Sequence, residues 1–511
     1  MRIKSKNRLF TNMFSYAILQ IVNMIVGLFL PRLYLSVYGS EVNGIISTIN
    51  SFTTYFAYLE AGLGLTLIHS LFKPLAENNI HHTNGILTYS KKQYEKISGV
   101  YFLLVVILSL VFPFLKVAND IDQIEFIFLV FVIGIYGALD FYSMAKYRVL
   151  LTADRKEYVI SNAMTLAQIL RFIFVWILLR ANISVVFVKV VPIFTLLVRS
   201  FILKIYVVKK YPSYSFSMAE NITIPESKDR WDAMLLQISI STSVSLPTII
   251  ISQVLGYKEA NVFAVYSLVI SAIISIISAL SSGVSPMLGR SIAQGKDISK
   301  TYNIYDFIVS FIITIVFSIA AIMIIPFVVL YTNIVNDINY VVPIYAILFC
   351  IWGAVYSYRI PVTAVINAAG IYRPNRFYNM LNLLLQIIGG IAFSLVLGGP
   401  GILIVMIVAA LHRNIALSVV NSKELLHNKI SKCIIRQTVM ILIIIANFCL
   451  AYLPIQNAVN DIGGWVLYAI IIFILETVIC GIIFLITDVK TIQSLIRLLK
   501  DKIRNKSNEL Q

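Results

Sequence analysis

Fourteen long apolar segments, separated by short polar connections, follow one another through the chain. A helix needs about 20 mostly apolar residues to cross the hydrocarbon core of a bilayer, and the segments have this length or come close to it. The sequence therefore predicts an all-α polytopic membrane protein with about 14 transmembrane helices. The expected spans are 10–38, 42–70, 96–116, 124–150, 158–180, 183–208, 232–254, 260–285, 304–331, 339–368, 377–398, 401–421, 437–454 and 464–486.

The composition excludes several other classes of protein. Hydrophobic residues make up 59% of the 511 residues and charged residues only 13%, which excludes a soluble enzyme, a secreted disulfide scaffold and a disordered chain. The 4 cysteines and 5 histidines lack the spacing of a metal site. No Walker motif or GxGxxG motif is present, so we expect no bound cofactor and no ATP hydrolysis.

The positions of the cations predict the topology. If the N-terminus is cytoplasmic, 32 of the 41 Lys and Arg residues lie in cytoplasmic segments and only three, Lys116, Arg180 and Lys258, lie in outer loops. This bias satisfies the positive-inside rule and places both termini in the cytoplasm. The net charge of +17 therefore reflects topology and does not indicate a nucleic-acid partner.

The sequence also contains an internal repeat with a shift of about 217 residues. LPRLYLSVYGSE at 30–41 matches LPTIIISQVLGYKE at 246–259, and YRVLLTADRKEY from Tyr147 resembles YRIPVTAVINAAGIYRP from Tyr358. The shift equals six spans, so the repeats are parallel, as in transporters that bind substrate between two lobes. We expect two six-helix lobes and two further helices: an N-lobe (1–210), a linker (211–230), a C-lobe (231–421), the last two helices (422–486) and a basic tail (487–511).

Six cations fall within the predicted spans. A Lys or Arg at the centre of a transmembrane helix costs about 2.5–3.5 kcal/mol, so these side chains need water, a counter-ion or a ligand. One interpretation is that they line a cavity and bind a phosphate group that crosses the membrane. The alternative is that the long side chains reach the interface along the helix. The six are Arg32, Arg171, Lys189, Arg199, Arg359 and Arg413.

Acidic residues and prolines within the spans suggest how a cycle could be driven. Glu60 and Asp140 are candidates for coupling transport to H⁺ or Na⁺, although they could equally neutralise the cations; Asp306 and Glu476 are the other acids. Glu60 precedes two glycines in LEAGLG, where we expect the helix to break. Pro31 and Pro247 occupy matching positions of the repeat and are candidate hinges, or else static kinks.

The segments PRLYLSVYGSEVNGIISTIN (31–50), LEAGLGLTLIHSLFKPLAENN (59–79) and YRVLLTADRKEYVISN (147–162) resemble the MOP flippase superfamily. Within it, the sequence is most similar to the Wzx-type flippases of polysaccharide repeat units, over essentially the full chain. The resemblance implies a multi-pass protein of the bacterial cytoplasmic membrane that moves undecaprenyl-pyrophosphate-linked oligosaccharide outward. The six cations would then bind the pyrophosphate and any acidic sugars, and membrane lipids, a polysaccharide polymerase and other assembly proteins would be partners.

Two other functions stay open at this point. A multidrug antiporter of the same superfamily would favour an acidic or aromatic cavity, whereas cations outnumber acids in these spans. A membrane enzyme such as a polysaccharide polymerase usually has a large outer loop, whereas the outer loops here are short. Both features favour the flippase, which is not an enzyme.

Overall fold

The structure is a computed structural model. It describes residues 2–60, 63–115, 118, 120–217, 230–281, 284–369, 376–426, 431–456, 461–489 and 491–495. Eighteen α-helices and no strands occur in these ranges. The predicted tail beyond residue 495 and residues 218–229 of the predicted linker lie outside them.

The chain divides into two compact units, Met1–Asn261 and Val262–Gln511, and the division falls within α9. The helices of unit 1 are α1 (Arg2–Ala57), α2 (Leu63–Ala76), α3 (Ile80–Leu115), α4 (Gln123–Ala153), α5 (Glu157–Arg180), α6 (Val185–Val188), α7 (Val191–Lys210) and α8 (Arg230–Val254), followed by the start of α9 (Tyr257–Ser281). The helices of unit 2 are α10 (Val284–Ala293), α11 (Ser299–Thr332), α12 (Pro343–Ser357), α13 (Arg359–Ala369), α14 (Arg376–Leu384), α15 (Gly390–Leu397), α16 (Gly399–Asn421), α17 (Ser431–Gln456) and α18 (Ile462–Thr487).

Twelve helical segments of the described chain are long and apolar enough to cross a membrane. The first, Thr11–Glu60, has 50 residues and bends at Gly39 (φ 75°, ψ −176°), so it includes the expected first span and the start of the second. The 25-residue α8 matches the expected span at 232–254 but is not among the twelve. The predicted all-α polytopic membrane fold is confirmed.

The second expected span differs from the prediction. Residues 42–70 do not form one helix, because α1 ends at Ala57, a 3-10 turn follows at Tyr58–Glu60, and α2 begins at Leu63. The interruption coincides with the polar, glycine-containing LEAGLG motif, in which Ala61 and Gly62 lie outside the described ranges. A carboxylate and glycines are poor interior residues for a membrane helix, which accounts for the break.

Small residues allow the helices of unit 1 to pack closely. A Cβ atom at Gly137 of α4 would lie 2.2 Å from the Tyr101 hydroxyl oxygen of α3, and one at Gly134 would lie 2.7 Å from Val105. Ser98 of α3 donates a hydrogen bond of 2.8 Å to the carbonyl of Ala138. Small residues and buried hydroxyls are typical contacts between membrane helices, where burial from water supplies no driving force.

A polar clamp holds residues 211–215, at the start of the predicted linker, against α3 and the turn between α4 and α5. Lys156 Nζ lies 2.8 Å from the Tyr211 hydroxyl and 2.7 Å from Asp154 Oδ2, and the same hydroxyl donates to Asp154. Asn84 donates to the carbonyl of Ser213 and accepts from the amide of Ser215. Burial, and then the bond to Asp154, raises the pKa of Tyr211 well above its ordinary value.

In unit 2, α11 packs against α12, α17 and α18. Arg436 of α17 forms ion pairs with Asp306 of α11 and with Asp488, which follows α18. Trp465 of α18 donates a 3.2 Å hydrogen bond to the carbonyl of Met323. These contacts hold the last two helices against the rest of unit 2.

Candidate functional site

Four charged side chains from three separate stretches of the chain meet inside unit 1. Arg148 of α4 lies 3.6 Å from Glu60 (Nη2 to Oε2) and 3.5 Å from Asp140 (Nη1 to Oδ2). Asp140 also forms an ion pair with Arg199 of α7. Two acids and two arginines balance each other. We call Glu60, Asp140, Arg148 and Arg199 the four-charge cluster.

The break after α1 brings Glu60 into this cluster. Glu60 is the last residue of the 3-10 turn Tyr58–Glu60 that follows α1, at the place where the sequence predicted an interruption of the helix. Tyr94 of α3 donates a 2.7 Å hydrogen bond to Oε1 of Glu60. A Cβ atom at Gly64 would lie 3.1 Å from the same oxygen, so the glycine leaves room for the carboxylate. The LEAGLG motif therefore positions an acid as well as breaking a helix.

Arg199 is held in place by protein groups. The side chain is buried, its Nε donates to the sulfur of Met144 at 2.8 Å, and its guanidinium pairs with Asp140. Sequence reasoning assigned Arg199 to the substrate, whereas in this structure Asp140 already supplies its counter-charge. A substrate anion could use Arg199 only in exchange for that carboxylate.

A second group of charges in unit 1 contains cations alone. Lys189, which follows α6, is buried, and its ammonium lies 3.6 Å from the ring centroid of Tyr34 of α1. Arg171 of α5 is an electrostatic neighbour of both Tyr34 and Lys189. We call Arg171 and Lys189 the first cation pair; its contact with the aromatic face is a cation–π interaction.

In the part of the chain that the structure describes, the first cation pair has no protein counter-ion. Within the described ranges, no carboxylate lies within 4.0 Å of Arg171 or Lys189, and the buried Nε of Arg171 has no hydrogen-bond acceptor. Burying positive charge without an acceptor is unfavourable, and most buried polar groups in proteins have a partner. The arrangement is therefore suited to an anion.

Unit 2 contains a comparable arrangement. The guanidinium carbon of Arg359, at the start of α13, lies 4.1 Å from the ring centroid of Tyr356 in α12. Arg413 of α16 is buried, and Arg359 and Tyr356 are its electrostatic neighbours. In the described chain, no carboxylate lies within 4.0 Å of Arg359, and its buried Nε has no acceptor. We call Arg359 and Arg413 the second cation pair.

The remaining predicted site residues lie in α1 and α8. Arg32 is half-buried, two residues before Tyr34 in α1. Pro31 and Pro247 lie inside α1 and α8. The nearby departures from helical geometry are at glycines, at Gly39 in α1 and at Gly256 (φ 111°) after α8. Only glycine adopts such backbone angles without strain.

Sequence reasoning missed Arg148 and the two tyrosines. Arg148 lies near the end of the expected span 124–150 and was one of the 32 cations assigned to the cytoplasm, whereas in the structure it contacts Glu60 and Asp140. A signal was present, because Asp140, Met144 and Arg148 follow one another at four-residue spacing, which places them along one side of a helix. No comparable sequence signal selects Tyr34 or Tyr356 from the 28 tyrosines of the chain.

Comparison with known proteins identifies the fold. No protein-family model and no curated protein matches the chain. The lipid II flippase MurJ in an inward closed conformation matches with a TM-score of 0.65 and 14% identity, over 92% of this chain and 98% of that one.

Two transporters give similar matches. An inward-facing multidrug resistance MATE family transporter of the MOP superfamily matches with a TM-score of 0.61 and 13% identity, over 81% of this chain and 95% of that one. The MATE transporter VcmN from Vibrio cholerae matches with a TM-score of 0.59 and 14% identity, over 83% and 98%. The chain therefore has the same fold as these flippase and transporter structures.

Proposed function

We propose that the chain is a flippase that moves undecaprenyl-pyrophosphate-linked oligosaccharide repeat units across the bacterial cytoplasmic membrane, for the synthesis of a surface polysaccharide such as capsule or O-antigen. It would act by alternating access of its two lobes. The MOP fold supports a transporter or flippase, and the cation pairs favour this anionic class of substrate.

The observation that carries the proposal is positive charge without a nearby acid: Lys189 is buried, and Arg171 and Arg359 are half-buried with buried Nε atoms. Arg171 and Lys189 in unit 1 and Arg359 in unit 2 have no carboxylate within 4.0 Å in the described parts of the chain. A pyrophosphate offers several negatively charged oxygens, and Arg and Lys bind such oxygens through charge-assisted hydrogen bonds. A cationic drug would be repelled by the same side chains, which disfavours a multidrug antiporter.

We infer that the pyrophosphate binds to these cations at successive sites as it crosses the membrane. After entry from the cytoplasmic side, Arg359 and Arg413 would bind it in unit 2 and Arg171 would bind it in unit 1. Lys189 and Arg32 would take it over as the outer side opens. Movement would bend α1 and α8 near Pro31 and Pro247, beside the positive-φ residues Gly39 and Gly256.

The four-charge cluster offers a way to couple this movement to H⁺ or Na⁺. Glu60 and Asp140 neutralise Arg148 and Arg199 in the structure. Binding of H⁺ or Na⁺ to either acid would weaken these ion pairs and release an arginine toward a substrate anion. Arg199 would then join the substrate-binding residues.

The proposed setting follows from the cargo. The chain would be a multi-pass protein of the bacterial cytoplasmic membrane with both termini in the cytoplasm. Membrane lipids and the lipid-linked oligosaccharide would be its direct partners, and a polysaccharide polymerase with other assembly proteins would receive the product.

The proposal is tested by expressing variants in cells that lack the gene and measuring surface polysaccharide and accumulated lipid-linked oligosaccharide. Arg171→Ala and Arg359→Ala should lose export, and Arg171→Lys should retain part of it because charge is kept. Arg180→Ala is the matched control, since Arg180 is exposed in the same helix as Arg171 and stacks on Trp176. Normal export by both alanine variants would contradict the proposed role of these cations.

A further inference from the structure

Glu476 differs from Glu60, Asp140 and Asp306, the three other acids considered above. Glu60, Asp140 and Asp306 each form an ion pair with an arginine. Glu476 is 3% exposed, and within the described residues no Lys, Arg or His lies within 4.0 Å of its carboxyl group. One intramembrane acid is therefore buried without a cation.

The position of Glu476 makes an ionised state unfavourable. The residue lies in the 26-residue helix α18, 14 residues after Ile462 and 11 before Thr487. At 1.5 Å per residue these separations are about 21 and 16 Å, which places the side chain near the middle of the span. A glutamate side chain is too short to reach either interface from there, so an ionised carboxylate would remain in a medium of low dielectric constant.

The groups that face Glu476 are neutral. Asn447 of α17 donates a 2.9 Å hydrogen bond from Nδ2 to Oε2, and the Cys480 thiol donates to the same oxygen at 3.7 Å. Cys480 also packs with Ile315 of α11 and Ile443 of α17 in an apolar cluster. A single amide and a thiol replace only a small part of the hydration that a carboxylate loses on burial.

The charged groups Arg436 of α17 and Asp306 of α11 lie away from Glu476. Arg436 of α17 pairs with Asp306 of α11 and Asp488, so these charges satisfy one another. Arg436 precedes Asn447 by 11 residues, which corresponds to about 16 Å along α17.

We propose that Glu476 is a proton-binding site between the last two helices, and that it carries a proton at neutral pH when Asn447 of α17 faces it as in the structure. The neutral acid accepts the hydrogen bond from Asn447 without placing a charge in the bilayer. Loss of the proton would leave an uncompensated carboxylate between the helices, which would draw in water or drive them apart. This inference does not depend on which cargo the protein carries.

The test is infrared difference spectroscopy on the full chain reconstituted in lipid at pH 7. Subtracting the spectrum of Glu476→Gln from that of the wild type should leave the carbonyl band of a protonated carboxylic acid, which shifts in D₂O. Glu157→Gln is the matched control, because Glu157 is exposed at the start of α5 and should contribute no such band. Asn447→Leu should keep the band but shift its frequency, since the acid loses its amide donor.

A second measurement uses the wild-type protein, so it remains valid if Glu476→Gln fails to fold. Solid-state NMR with ¹³C-labelled glutamate should show one carboxyl resonance at the chemical shift of a protonated acid at pH 7, and this resonance should respond to Asn447→Leu. A carboxylate band in place of the acid band in the infrared difference, or only ionised glutamate resonances in the wild type, would overturn the proposal.

Discussion

Asn43 donates a hydrogen bond from its side-chain amide to the side-chain oxygen of Asn261, with 2.8 Å between Nδ2 and Oδ1. The two residues occupy corresponding places in the internal repeat expected from the sequence. Asn43 follows Gly39 by four residues and Asn261 follows Gly256 by five, and both glycines have positive φ angles. Each repeat therefore starts a new helical direction at a glycine, and the asparagines after these glycines join the two segments within unit 1.

The contact beside this hydrogen bond leaves no space for a side chain at Gly44. A Cβ atom there would lie 1.9 Å from the carbonyl oxygen of Tyr257. Gly44→Ala should therefore lower the free energy of unfolding by about 1–3 kcal/mol, the usual cost of overpacking, and reduce the Tm in detergent. Gly27→Ala is the control in the same helix, because no atom lies within 4 Å of its Cβ position. An equal Tm for the two variants would show that the close contact is absent.

Asp140 balances arginines from two helices, so its charge should matter for stability. Asp140→Asn leaves Arg199 buried without its ion-pair partner and should cost about 3–5 kcal/mol of unfolding free energy. Adding Arg199→Met should restore much of this loss, because the buried charge is then removed. A double-mutant cycle in chemical denaturation measures the coupling. Additive effects of the two substitutions would refute a direct interaction.

Removing the charge of Lys189 should not lower stability, in contrast to removing that of Asp140. Its ammonium is buried against Tyr34 without a carboxylate within 4.0 Å in the described ranges, so Lys189→Met should keep or raise the Tm. Export should fall about tenfold or more, since a charge-assisted hydrogen bond is worth about 1.5–3 kcal/mol. Measuring Tm and export on the same variant separates the two effects. A lower Tm with normal export would identify Lys189 as a structural residue.

The clamp at Tyr211 predicts a pH dependence. Burial and the bond to Asp154 raise the pKa of Tyr211, so the neutral phenol is favoured in the folded protein. Its contribution to stability is complete below about pH 10, the ordinary pKa of tyrosine, and is lost as the pH rises toward the folded-state pKa. Tyr211→Phe should be less stable than the wild type by about 1 kcal/mol at pH 7.

The comparison of these two proteins at alkaline pH completes that test. The stability difference between wild type and Tyr211→Phe should shrink above pH 10, because only the wild type has the phenol to ionise. Tyr16→Phe is the control at an exposed tyrosine of α1 and should show no difference from wild type at either pH. A difference for Tyr211→Phe that stays constant with pH would contradict the clamp.

Hydropathy was sufficient to predict the class of fold and most of the spans. Bilayer thickness limits the length of an apolar helix, so the spans could be located without knowing how they pack. The break at Glu60 was also predictable, because an acid beside glycines weakens a membrane helix. The merging of the first two apolar segments across Gly39 was not, since a single glycine with positive φ can either end a helix or bend it.

The contacts of the site were much harder to predict. The sequence identified Glu60, Asp140 and Arg199 separately, whereas the contact of Arg148 with both acids depends on how α4 is rotated. The cation pairs bring together residues far apart in sequence, such as Tyr34 and Lys189. Helix rotation and depth decide such contacts, and hydropathy constrains neither of them.

The most direct test of the central claim is deletion of the gene in its native host, followed by lipid extraction and mass spectrometry. We expect undecaprenyl-pyrophosphate-linked oligosaccharide to accumulate and surface polysaccharide to disappear, with both restored by the wild-type gene. Arg171→Ala should fail to restore them, and Arg180→Ala should succeed. Normal surface polysaccharide in the deletion strain, together with raised drug sensitivity, would contradict the flippase and indicate a multidrug antiporter.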